Sequence, residues 1–130
     1  KKLNNEKVSN SIFKKTIQNI CGVNKIINYY GMVEQTGSIF LECENGFFHT
    51  SNFSDIFIRN KNYSVCDFNE QGLVQLISLL PKSYPGHNIL TDDIGEVKGI
   101  DDCKCGRKGK YFLVHGRIKK AELRGCSDTA

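Results

Sequence analysis

The chain has 130 residues, 39% hydrophobic and 25% charged, which suits one globular unit with one core of its own. Eighteen basic against fourteen acidic side chains leave a net charge of +4 with the signs interspersed, a balance too mild to argue for a nucleic-acid or membrane-surface partner. No apolar run approaches the ~20 residues that span a bilayer. Six cysteines without a secretory signal predict a reducing, cytoplasmic setting, with thiols or metal ligands in place of disulfides. The chain begins at Lys1 and not at Met, so a longer or processed parent is expected.

Residues 1–9 are polar. Phe13, Ile17, Ile20 and Cys21 then recur at helical spacing and predict an amphipathic helix over residues 10–21. Ser9 or Asn10 can cap its start, and Gly22 lies where a helix-ending glycine belongs. From there the pattern turns to β. Residues 23–30 are an apolar, β-prone run that ends in Tyr29-Tyr30 and is broken by Gly31. Residues 38–43 and 47–51 flank Glu44-Asn45-Gly46, and Asn-Gly is the strongest short hairpin signal.

Residues 55–59 alternate as a strand does. Residues 60–71 are polar connection, with Tyr63, Val65 and Phe68 as anchors. Residues 72–80 form a long β-like apolar run ended by Pro81. Ser83-Tyr84-Pro85-Gly86 is a turn, and residues 87–91 lead into an acidic corner at Asp92-Asp93. Residues 96–99 and 111–115 are two further strands, the second ended by Gly116-Arg117. There is no internal repeat. The expected fold is α+β: mostly antiparallel sheet or a distorted barrel, with one N-terminal helix. Its expected divisions are a helix of an upstream domain (residues 1–22), a β-rich subdomain (23–115), and a hinge with a short tail (116–130).

Two places carry chemistry. Tyr30-Gly31-Met32-Val33-Glu34 puts a flat ring and a lone carboxylate beside a turn at a strand end. A ring can stack on a base, and a carboxylate can hold Mg²⁺ among phosphate oxygens. A plain turn with Glu34 solvated uses the same residues. Elsewhere, Cys103-Lys104-Cys105-Gly106 is a Cys-x-Cys knuckle whose glycine relieves the tight turn. Cys43 and His49, separated by five residues across the Asn-Gly hairpin, can supply two more ligands. Three thiols and one imidazole make a closed structural Zn²⁺ site; free thiols with a surface histidine are the alternative. Cys21 and Cys66 read as small apolar residues, and His87 and His115 as structural. The basic residues bunched in 98–124 are interrupted by acids and read as a solvated face.

Three stretches resemble the adenylate-forming, acyl-AMP enzymes. Tyr30-Gly31-Met32-Val33-Glu34 is similar to that superfamily's Tyr-Gly-x-Thr-Glu loop. Ile89-Leu90-Thr91-Asp92-Asp93-Ile94-Gly95 is similar to its Tyr-Arg-Thr-Gly-Asp-Leu-Gly segment. His115-Gly116-Arg117, followed by Arg124-Gly125, is similar to its Gly-Arg hinge region. They fall in order over about ninety residues. Tyr-Gly-Met-Val-Glu-Gln, Cys-x-Cys-Gly-Arg and the closing Leu-Arg-Gly-Cys look most like the acyl-protein synthetase branch. That is the long-chain-fatty-acid–luciferin-component ligase family, related to phenylacetate–coenzyme A ligases. The resemblance runs through the whole chain but covers only the family's C-terminal third, without the upstream phosphate loop.

The resemblance implies a ligase that uses ATP and Mg²⁺ to activate a carboxylic acid, a fatty one in that branch, and passes the acyl group to a thiol. It implies Tyr30 against the adenine beside Gly31, Glu34 on Mg²⁺, Asp93 on both ribose hydroxyls, and Arg117 on ribose or phosphate. It also implies an acyl carrier cysteine near the C-terminus, where Cys126 stands. An incidental thiol is the alternative there. The partner it implies is an acyl-acceptor protein or an acyl-CoA reductase, not a membrane or a nucleic acid. Val33 replaces the motif's Thr, Asp92 its Gly, and Lys119-Lys120 the usual acidic hinge. Two other uses of these residues stay open. One is a zinc-stabilised β module that binds nucleic acid; the other is a degenerate adenylating fold kept as a protein-binding scaffold.

Overall fold

The computed structural model describes residues 8–118, which fall into two compact units, residues 8–27 and residues 28–118. Cys126, Lys119-Lys120 and Arg124-Gly125 lie outside the described residues. The first unit is built on one helix, α1 (Asn10–Cys21). The Ser9 hydroxyl accepts from the Ile12 amide at 3.3 Å, and the Gly22 amide, at a left-handed φ of 65°, donates to the Gln18 carbonyl at 2.9 Å. Both ends are therefore closed by the residues whose types announce them. None of the helix's residues is buried. Among the described residues no helix is long and apolar enough to cross a membrane.

The second unit is strand-rich: β1 (Tyr29–Tyr30), β2 (Phe40–Leu41), β3 (Phe48–His49), β4 (Ser54–Arg59), β5 (Gly72–Ser78), β6 (Asn88–Ile100) and β7 (Lys110–Arg117), with one 3₁₀ turn, η1 (Val33–Gln35). β1 and β2 form a two-stranded antiparallel sheet. The other five form an antiparallel sheet in the order β3-β7-β6-β5-β4. It stays open, with edges at β3 and β4, so the α+β expectation holds in its sheet form and no barrel closes among the described residues.

Strand alternation sets the core. The β4–β5 register pairs Ile58 with Val74, Ile56 with Leu76 and Ser54 with Ser78, and all six side chains point inward. Val97, Phe112 and Phe40 complete the cluster, with Tyr30, Met32, Phe48, Cys66 and Val114 packed against it. At the polar end of this core the Ser38 hydroxyl bonds Ser78 Oγ at 2.7 Å and Ser54 Oγ at 3.1 Å, so three buried hydroxyls satisfy one another.

Several elements differ from the sequence expectations. Of residues 23–30, only Tyr29 and Tyr30 find a strand partner, because β2 offers just two paired residues. The acidic corner at Asp92-Asp93 is not a corner. β6 runs unbroken from Asn88 to Ile100, and Asp93 pairs with Arg117 on β7. Two bulges interrupt that ladder and leave His115 on β7 and Lys98 on β6 without cross-strand partners. Both bring nitrogen to 3.4 Å from Glu96 Oε1, which accounts for a carboxylate that is almost fully buried.

Candidate nucleotide site and metal centre

β1 delivers Tyr30 to the edge of the core, where its ring centroid lies 6.2 Å from those of Phe40, Phe48 and Phe112. The ring is thereby seated by packing, and its hydroxyl reaches out to donate to Asp93 Oδ2 at 2.6 Å. The other carboxylate oxygen, Oδ1, lies 3.5 Å from Arg117 Nε. Tyr30, Asp93 and Arg117, taken from three distant points of the chain, thus form one cluster. The Asp93 side chain is 15% exposed and that of Arg117 41%, so the acid is the more covered of the two and the guanidinium the more open to solvent. A carboxylate offers about four lone-pair positions. With one taken by Tyr30 and a second facing Arg117, Asp93 keeps acceptor capacity for a diol.

Gly31 follows directly, its backbone so close to the next turn that an added Cβ would lie 3.0 Å from the Ser38 carbonyl oxygen. Glu34 sits on η1 and its side chain is exposed. Among the described residues no hydrogen bond or ion pair joins its carboxylate to Tyr30 or Asp93. An exposed carboxylate of this kind could hold Mg²⁺ together with substrate phosphates and water.

The candidate metal ligands come together from two loops and one strand: Cys43 from the hairpin turn, His49 from β3, and Cys103 and Cys105 from the β6–β7 loop. Cys43 opens a turn closed by the Gly46 amide donating to the Cys43 carbonyl at 2.9 Å. Cys103 opens a turn of the same form, with the Gly106 amide on the Cys103 carbonyl at 3.0 Å. Gly46 and Gly106 sit at φ 80° and 82°, the left-handed backbone that lets each turn close. The sulfurs of Cys43, Cys103 and Cys105 and one His49 nitrogen all lie within 4.8 Å of one another. In a tetrahedral zinc site the corresponding edges are about 3.6 to 3.8 Å. The Cys105 Sγ to His49 Nε2 distance is already 3.4 Å.

Cys43, His49 and Cys103 are buried and Cys105 is half-buried. Burial, and then the charge of Arg107, holds the His49 imidazole below its ordinary value against the opposing pull of Glu44. The neutral ring that ligates a metal is the favoured form. This donor set could hold a metal ion and fits structural zinc.

Sequence reasoning missed the residues that steady these two places. Tyr111 stacks on His49, with centroids 5.8 Å apart and planes at 22°, and its hydroxyl is bonded to Asp102. His49 Nδ1 is buried with no hydrogen-bond partner, so stacking, and not a carboxylate behind the ring, orients the imidazole. Tyr84 and Gln35 anchor η1. The alternation of β7 hints that Tyr111 faces a neighbour, but nothing local in sequence marks Tyr84 or Gln35.

Protein purified without added metal should carry about one zinc per chain by elemental analysis. Cys43→Ser should lower stability by about 3 kcal/mol or more in chemical unfolding. Absence of metal together with unchanged stability in that variant would remove the site. A second expectation concerns Tyr30. Burial, then the hydrogen bond and charge of Asp93, push its phenol well above the ordinary value near 10. The unfolded chain ionises at the ordinary value. Tyr30's contribution is therefore intact below about pH 10 and is lost as pH rises beyond it. Tyr30→Phe should flatten the fall of stability above that pH, and an unchanged slope would contradict this.

The family model described as "acyl-protein synthetase, LuxE" matches residues 1–130. No curated protein and no solved structure matches the chain. With the match spanning every residue, the chain belongs to the LuxE acyl-protein synthetase family.

Proposed function

We propose that this chain is the C-terminal, nucleotide-handling part of an ATP-dependent acyl-protein synthetase that acts on a fatty carboxylic acid. The substrate carboxylate oxygen attacks the α-phosphorus of ATP, the P–O bond to pyrophosphate breaks, and acyl-AMP forms. A thiolate then attacks the acyl carbonyl, and AMP leaves with the bonding electrons. The convergence of Tyr30, Asp93 and Arg117 into one hydrogen-bonded cluster carries this reading, because an acceptor beside a cation and a ring is what a nucleoside phosphate requires.

In this reading Asp93 accepts from the ribose hydroxyls, and Tyr30 both props Asp93 and offers the uncovered part of its ring to adenine, with Gly31 allowing close approach. Arg117, more exposed than Asp93, meets ribose or phosphate oxygens. The exposed Glu34 carboxylate would hold Mg²⁺, which would supply charge neutralisation at the phosphates. Most of the catalytic effect here is electrostatic and positional. Zinc at Cys43, His49, Cys103 and Cys105 has a structural role. Cys126 is the proposed acyl carrier on the way to a protein acceptor.

ATP–pyrophosphate exchange by the full-length protein over a panel of fatty acids tests this directly. Asp93→Asn should lower kcat/KM for ATP about ten- to a hundredfold, the scale of hydrogen bonds to a charged acceptor. No exchange with any acid would favour a protein-binding scaffold, the reading that Val33 and Asp92 suggest. After incubation with ATP and fatty acid, mass spectrometry should find the acyl group on Cys126. Acyl mass that persists in Cys126→Ser would exclude this residue.

A further inference from the structure

The turn between β5 and β6 is bound to η1 by two hydrogen bonds. The Tyr84 hydroxyl donates to the Glu34 carbonyl, and Gln35 Nε2 donates to the Gly86 carbonyl at 2.9 Å. Gln35 is fully buried, and the same nitrogen lies 3.4 Å from the Leu76 carbonyl on β5, so η1 is tied to the sheet as well as to the turn. The contact leaves no slack. A Cβ on Gly86 would lie 2.8 Å from the Glu34 carbonyl oxygen and 2.3 Å from Tyr84 Cε2.

This arrangement needs an explanation that packing alone does not give. η1 is a single turn with no side-chain cap, and its residues Val33 and Glu34 are exposed. A short 3₁₀ turn is intrinsically weak. Here the Thr36 hydroxyl donates to the Val33 carbonyl at 2.9 Å, buried Gln35 ties one side of the turn to the sheet, and the Tyr84 bond reaches Glu34 itself. The element that does hold it continues within a few residues into β6, the strand that carries Asp93. At the other end of the same segment, Tyr30 is bonded to Asp93 itself. The stretch from Tyr30 to Gln35 is therefore gripped at both ends by one strand and the turn that precedes it.

We propose that Tyr84 is a positioning residue: its bond to the Glu34 main chain fixes where the Glu34 carboxylate stands relative to Asp93, and so where Mg²⁺ on the phosphates sits relative to the ribose. This rests on the nucleotide reading above. Tyr84 does not itself touch the nucleotide. Its hydroxyl adds to the Gln35 anchor a bond at Glu34 itself, the residue that carries the proposed metal-binding carboxylate. Gly86 serves the same end by letting the two backbones meet.

Calorimetric titration of the full-length protein with ATP, once with Mg²⁺ and once with EDTA, tests the assignment. For the unaltered protein, Mg²⁺ should tighten binding. Tyr84→Phe removes one oxygen from a partly exposed ring, so the melting temperature should be nearly unchanged. Its Kd for ATP should rise about three- to tenfold with Mg²⁺, the scale of one lost hydrogen bond, and stay constant in EDTA. Gly86→Ala, which pushes the turn off η1, should shift the Mg²⁺ titration in the same direction. Equal weakening in both buffers, or none in either, would overturn the positioning role while leaving the nucleotide site intact. Failure of the unaltered protein to bind ATP in both buffers would remove the nucleotide reading, and this role with it.

Discussion

The ladder between β6 and β7 is the constraint on which both sites depend. At one end it sets Asp93 opposite Arg117; at the other it closes through the loop that carries Cys103 and Cys105. The two ends lie roughly 20 Å apart at strand rise per residue. One continuous pair of strands thus carries residues of both candidate sites. The two bulges matter for the same reason. The extra residue on β7 sets Arg117, and not Gly116, opposite Asp93, and the two unpaired residues, His115 and Lys98, both reach Glu96.

Tyr30 links the small sheet to the large one. Its ring lies against Phe48, whose neighbour His49 belongs to the metal cluster, and against Phe112, whose neighbour Tyr111 stacks on that histidine. The donor that steadies Asp93 is thus seated on side chains adjacent to the thiol cluster. β3 pairs with β7 through only two residues, Phe48 and His49, too few to hold an edge strand by backbone bonds alone. Zinc would supply what this short pairing lacks.

Local signals were legible and distant ones were not. The helix over residues 10–21 was readable from its apolar spacing, Ser9 and Gly22, because each acts within one turn. Asn45-Gly46 marked its hairpin for the same reason. The thiol cluster was legible from a tight knuckle and a hairpin, two short-range features that bring ligands near their own loop ends. Residues 23–28 look like strand in sequence, but strand formation needs a partner, and β2 reaches only Tyr29 and Tyr30. Asp92, Asp93 and Gly95 look like a break, yet pairing with β5 and β7 overrides their low β preference. Tyr84 and Glu34 are fifty positions apart, and no pattern in the chain announces that they meet.

The hydroxyl trio at the end of the core has a consequence for which pairing the chain accepts. Sliding β4 along β5 by two residues would keep every aliphatic side chain on the inner face, so oil-like attraction alone would scarcely notice the error. Such a slip would, however, carry Ser54 away from the Ser38–Ser78 pair in a dry interior, at about 1–3 kcal/mol for the unmet hydroxyl. Three small alcohols thereby act as a vernier, admitting one alignment of two strands that greasiness by itself leaves degenerate.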